Sequence, residues 1–146
     1  MPSETNATKE IEEPYRVVLF DDSNTAKEEF EDLRAEAGTP IELLWLSRPR
    51  IDTSVQEELL SFRPDLFVVD LNMGSSDVDG QAIIRRLQKI PGLREVPIVV
   101  CSKIFNERNK DLQKAYLAMS GVVAVFGKKD SLFDAGAILS LSKRGI

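Results

Sequence analysis

The chain has 146 residues, 42% of them hydrophobic and 29% charged, which suits one domain able to bury a core without disulfides or a structural metal. Its net charge of −5 disfavours nucleic acid and anionic lipid as partners. The absence of histidine excludes a Ser-His-Asp hydrolase, a histidine-ligated zinc site and a phosphohistidine carrier, and a single cysteine, Cys101, excludes a disulfide scaffold and a multi-thiolate metal site.

Residues 1–14 read as a polar, acidic, solvated tail carrying Glu4, Glu10, Glu12 and Glu13, with Pro14 at its boundary. The tail lacks the apolar segment of a signal peptide, and no apolar run approaches the roughly 20 residues of a membrane span. A cytoplasmic protein is the expectation.

Past the tail, short apolar runs alternate with helical patterns. Residues 16–20 (RVVLF) are apolar and rich in β-branched side chains, as in a strand buried on both faces. A first helix follows, with Thr25 and Glu28 at capping-box spacing, Ala26, Phe30, Leu33 and Ala37 on one face, and Gly38 as its stop. Residues 41–46 form a second strand. Ser54 and Glu57 repeat the capping-box spacing ahead of a second helix whose apolar face is Val55, Leu59 and Phe62, ended by Pro64. Residues 66–69 form a third strand ending at Asp70, followed by the polar loop LNMGSSDVDG. Residues 81–89 carry Ile83, Ile84 and Leu87 at helical spacing and are broken by Pro91 and Gly92. Residues 98–101 are a fourth strand. Residues 106–120 are a fourth helix with Leu112, Ala115 and Met119 facing inward and Gly121 as its cap. Residues 122–126 are a fifth strand. A fifth helix over residues 131–141 turns Leu132, Ala135 and Leu139 inward, and Gly136 weakens it by about 1 kcal/mol relative to alanine.

Five strands alternating with five helices predict an α/β, doubly wound parallel sheet covered on both faces. A common strand order is 2-1-3-4-5, with a switch point between strands 1 and 3 where ligands bind beyond the carboxyl ends. Asp21 and Asp22 follow strand 1, Asp70 ends strand 3, Ser102 follows strand 4, and Lys128 and Lys129 follow strand 5. All converge on that rim. Three carboxylates together repel one another unless a hard divalent cation sits among their oxygens, and Mg²⁺ favours such oxygen ligands. A lysine on the same rim offsets charge and contacts an anionic group.

Taken singly, these residues have ordinary readings. Asp21 and Asp22 are good helix caps, although Ser23 and Asn24 are there to cap as well. Ser102 is common loop polarity, and Lys128 with Lys129 a solvated pair. Cys101 reads as core, Trp45 and Tyr116 as packing, and Arg48 and Arg50 as a basic loop.

As an ordered set, the motifs VVLFDDS, RPDLFVVDLNM, Asp79-Gly80, PIVVCS and VFGKK resemble the receiver domain of two-component response regulators. The resemblance spans residues 15–143, leaving the tail at 1–14 and a short C-terminal end at 144–146. It implies the flavodoxin-like (CheY-like) form of the predicted sheet. It also implies that Asp70 accepts a phosphoryl group from a phosphohistidine donor, giving an acyl phosphate. Asp21, Asp22 and Asp70 would hold Mg²⁺ with the backbone carbonyl of Asn72. Ser102 would donate a hydrogen bond to a phosphoryl oxygen, and Lys128 would pair with the phosphoryl group or with Asp70.

Departures from the family pattern accompany the match. The loop from Asp70 to Gly80 is about two residues longer than usual, Gly74 stands where proline is common, and Lys103 follows Ser102 where a small residue is usual. Lysine is normally followed by proline, whereas Lys128 is followed by Lys129 and Asp130. Two registers stay open: with Lys128 as pocket lysine Val125 takes the place of the switch aromatic, and with Lys129 Phe126 does. Lys128 is preferred because it leaves Asp130 to cap the last helix.

The resulting expectation is a stand-alone, cytoplasmic phosphoacceptor, not a turnover enzyme, with Mg²⁺ as its cofactor. Its partners would be a histidine kinase or histidine phosphotransfer protein and a downstream protein bound through the face of the fourth helix, fifth strand and fifth helix, with no nucleic acid or membrane. Whether that face also forms a homodimer is left open. A phosphorylation-independent interaction module on the same fold is the alternative, separated from the first reading by Mg²⁺ binding through Asp21 or Asp22. A Mg²⁺-dependent phosphohydrolase resembling the haloacid dehalogenase group would place its nucleophile on strand 1 with a second Asp two residues on, and DDSNT lacks that spacing.

Overall fold

The apolar runs pair side by side into one parallel sheet. In a computed structural model, which describes residues 15–21, 27–28, 31–32, 41–47, 51–71, 78–102, 105 and 107–127, the strands are β1 (Tyr15–Phe20), β2 (Ile41–Leu46), β3 (Leu66–Asp70), β4 (Ile98–Ser102) and β5 (Val122–Gly127). Their order is β2-β1-β3-β4-β5, and each neighbouring pair is parallel. The expected flavodoxin-like architecture and strand order are therefore present. β3 and β4 are buried along their whole length, which explains why they read as unbroken apolar runs rather than alternating ones.

Strand alternation divides the sheet into two apolar faces. Val18, Phe20, Phe67, Val69, Ile98 and Val100 belong to one cluster, together with Leu59, Ile83, Ile84, Leu87 and Tyr116 from the helices. Val17, Leu19, Leu66, Val68, Val99 and Cys101 form the other, with Ile41. The first face is covered by α1 (Thr53–Phe62), α2 (Val78–Lys89) and α3 (Lys110–Leu117), the last preceded by a 3-10 turn over Glu107–Asn109. Each fully buried Ile or Leu on this face contributes roughly 1.5–3 kcal/mol by leaving water. The backbone is also helical at 27–28 and 31–32, inside the expected first helix. The remainder of that helix, the expected last helix, the N-terminal tail and Arg48 and Arg50 lie outside the described residues.

The structure corrects several element ends. The cap of α1 is Asp52 rather than Ser54: its carboxylate accepts the Val55 N–H at 2.9 Å, so the Ser54–Glu57 spacing does not set the helix start. Pro64 is preceded by Arg63 in the left-handed conformation, φ 57°, whose N–H donates to the Leu59 carbonyl. α2 begins at Val78, three residues before its expected start at Gln81, so Asp79 and Gly80 lie in its first turn. α3 is shorter than residues 106–120 because its end tightens into a hydrogen bond from Met119 N–H to the Tyr116 carbonyl at 3.0 Å. Gly121, at φ +88°, turns the chain towards β5. On α3 the inward residues are Tyr116 and, partly, Leu112 and Met119. Ala115 is exposed: its small side chain leaves the inward-facing line of the helix to Tyr116, one position on.

β5 holds a feature its sequence does not announce. Its pairing with β4 shifts by one between Ile98↔Val122 and Val99↔Ala124. Val123 is left over at this bulge and is 56% exposed. At the far end, Gly127 lies so near the Phe105 carbonyl that a Cβ there would fall inside any normal contact distance.

Candidate functional site

The carboxyl ends of the central strands bring Asp21 and Asp70 together. β1 and β3 are paired through Phe20↔Val69, and the next residue on each is an aspartate. Neighbouring strands stand about 4.8 Å apart, and alternation gives both aspartates the parity of Val17, Leu19, Leu66 and Val68, hence the same face of the sheet. Asp21 is 1% exposed and Asp70 3%. Carboxylates are rarely so buried unless paired or coordinated.

Each is anchored through its backbone. Asp70 pairs with Cys101 across β3 and β4, and the N–H of Leu71 donates to the Cys101 carbonyl at 3.0 Å. The Asp21 N–H donates to the Leu46 carbonyl at 3.2 Å, and the Asp21 carbonyl accepts the indole N–H of Trp45. Trp45 is thus more than packing, a role that residue type and position alone did not signal.

Ser102 is the last residue of β4 rather than the first of a loop, and it is fully buried. It pairs with Gly127, and its carbonyl accepts the Phe105 N–H at 3.3 Å. Alternation gives Ser102 the parity of Ile98 and Val100, whereas Cys101 carries that of Asp70. β5 runs one residue further than expected, to Gly127. Val125 packs with the helix-covered cluster and Phe126 with the other. Cys101 is buried and makes no disulfide, as expected of a residue in the core. Asp22, Asn72, Lys128 and Lys129 lie outside the described residues.

Two buried carboxylates on adjacent strand ends are a suitable donor set for a hard, oxygen-seeking divalent cation. Among the described residues no group of three potential ligands gathers, and Asp22, the third carboxylate of the set, is outside them. Away from this rim, an open cleft of about 460 Å³ bounded by Arg16, Glu42, Ser61, Phe62 and Arg63 lies at the amino end of β1 and β2. There the Arg16 guanidinium is paired with Glu42 at 2.9 Å. Among the described residues no helix is long and apolar enough to cross a membrane.

An open parallel sheet in this order, with acidic residues at the carboxyl ends of β1 and β3, is the fold of response-regulator receiver domains. The solved structures it resembles bear this out. A response regulator from Desulfuromonas acetoxidans superposes with a TM-score of 0.65 at 16% identity, covering 90% of this chain and 95% of the other. The chemotaxis response regulator CheY4 of Vibrio cholerae gives 0.63 at 18% identity, covering 92% and 100%. The receiver domain of a sensor histidine kinase from Pseudomonas aeruginosa PAO1, solved with a magnesium ion coordinated in its active-site cleft, gives 0.63 at 13% identity, covering 90% and 97%. No protein-family model matches the sequence, and comparison with curated proteins gives no match. The likeness is one of fold.

Proposed function

We propose that the chain is a phosphoacceptor of two-component signalling, with Asp70 as the residue phosphorylated. The observation that carries this reading is the pair of buried aspartates, Asp21 and Asp70, level on adjacent strands at the switch point of a receiver fold. Asp70 Oδ attacks the phosphorus of a phosphohistidine. The P–N bond breaks, its electron pair leaves with the imidazole, and an acyl phosphate forms on Asp70. Asp21, Asp22, Asp70 and the Asn72 carbonyl would hold Mg²⁺, which neutralises phosphoryl charge when bound. Ser102 donates a hydrogen bond to a phosphoryl oxygen and Lys128 supplies the pocket cation. The end of β5 at Gly127, directly before Lys128 in the sequence, favours Lys128 over Lys129. So does the packing of Val125 on the face that carries the parity of Ser102.

The protein's work is positioning and charge neutralisation rather than turnover. Its partners in this reading are a histidine kinase or histidine phosphotransfer protein and a downstream protein that senses the phosphorylated state in the cytoplasm. The receiver unit is residues 15–143.

Intact mass after incubation with Mg²⁺ and a small-molecule phosphodonor tests the proposal. One added phosphoryl group on the parent and none on Asp70→Asn is the expected result. No adduct on either overturns it and leaves a receiver fold used only for protein contact.

A further inference from the structure

Asp21, the residue directly after β1, is held from the edge of the sheet by one side chain and one backbone carbonyl. Asp21 hydrogen-bonds through both of its backbone polar groups to β2: its N–H donates to the Leu46 carbonyl at 3.2 Å, and its carbonyl accepts from Trp45 Nε1 at 2.5 Å. That carbonyl belongs to the peptide unit joining Asp21 to Asp22. The indole therefore holds the Asp21 carbonyl, one bond from the Cα that carries the Asp21 carboxylate. Trp45 is itself set in place. Its backbone is in register with Leu19, its ring packs with the cluster of Val17, Leu19 and Val68, and the Lys27 ammonium stands over the ring, 5.0 Å from its centroid. A cation over an indole face is attracted by the ring quadrupole, so Lys27 also braces the residue that holds the Asp21 carbonyl.

Resting on the reading above, we propose that Trp45 is a positioning residue for the metal-binding carboxylate of Asp21, acting through the Asp21 backbone carbonyl. Metal ligands need orientation as well as charge, and removing an outer group that orients them typically weakens metal affinity by 10–100-fold. Edge strand β2, which supplies no ligand, then helps set the affinity of the site. Trp45 is also the only tryptophan in the chain, so its fluorescence reports the surroundings of Asp21 without labelling.

The test titrates Mg²⁺ into the full chain and into Trp45→Phe, which keeps an aromatic ring and loses the N–H donor. The parent is followed by tryptophan fluorescence, and both proteins by the rise in melting temperature that a ligand bound only to the folded state must produce. A saturable fluorescence change in the parent that is absent in Asp70→Asn, with the half-saturating Mg²⁺ raised on the order of tenfold in Trp45→Phe, supports the assignment. A purely structural role would lower the melting temperature of Trp45→Phe and leave its half-saturating Mg²⁺ where it was, and that result overturns the assignment alone. If Trp45→Phe fails to fold, the parent fluorescence decides: no change while the melting temperature responds to Mg²⁺ also overturns it alone. No Mg²⁺ response of either kind in the parent overturns both this assignment and the proposed metal site.

Discussion

The central strand β3 and the edge strand β5 are both short apolar runs, and they solve different problems. Every residue of β3 is buried, with β1 on one side and β4 on the other. A slip of one residue in its register would exchange its two faces and carry Asp70 to the other side of the sheet. Among the described residues β5 has one neighbour, β4, and it tolerates a leftover residue at Val123, which is exposed to solvent. The difference teaches where precision resides. The sheet centre aligns Asp21 with Asp70, while edge strand β5 absorbs an irregularity and edge strand β2, in regular register, holds the Asp21 carbonyl through Trp45.

Truncation should expose the contrast most strongly at the centre. Phe67→Ala removes a ring that is fully buried and packs against Phe20 with centroids 6.1 Å apart, and should lower the unfolding free energy by about 3–5 kcal/mol in urea denaturation. Gly127→Ala sharpens the picture at the close approach that ends β5. Its added methyl meets the Phe105 backbone, which cannot swing aside as a flexible side chain would, and the expected loss is about 1–3 kcal/mol. In the helical layer, Asp52→Ala removes the cap of α1 and should cost about 1 kcal/mol, read as a lower thermal midpoint, with Asp52→Asn nearly neutral. Val123→Thr, at the exposed bulge, should change stability by less than about 0.5 kcal/mol. A large loss there would break the distinction between centre and edge.

Much of this was legible in the sequence because burial on both faces leaves a strong mark. Ile41–Leu46 matches its expected limits residue for residue, and the other strands differ by one residue at an end. Asp21 and Asp70 were legible as strand-end acids because the apolar runs stop at them. The helix starts were harder. Asp52 and Ser54 are both good caps, and only the hydrogen bond to Val55 decides between them. The start of α2 was hidden because Val78, Asp79 and Gly80 lack the apolar periodicity that begins at Ile83. The bulge at Val123 was invisible because a run of valines fits either pairing. The role of Trp45 depends on a contact between β2 and Asp21, the residue after β1, which no local pattern encodes.

The parallel pairing of β1 with β3 has a consequence for how the rim comes into being. These strands touch in space but are separated along the chain by β2 and α1. A hairpin cannot join parallel strands, so no local turn can pre-assemble Asp21 and Asp70. Their meeting waits on closure of the intervening loop, an entropic cost that slows folds dominated by distant contacts. The paired carboxylates therefore exist only in the folded molecule. Any ion held between them acts as a clasp on the whole domain, and its occupancy is written into the unfolding equilibrium of the entire sheet.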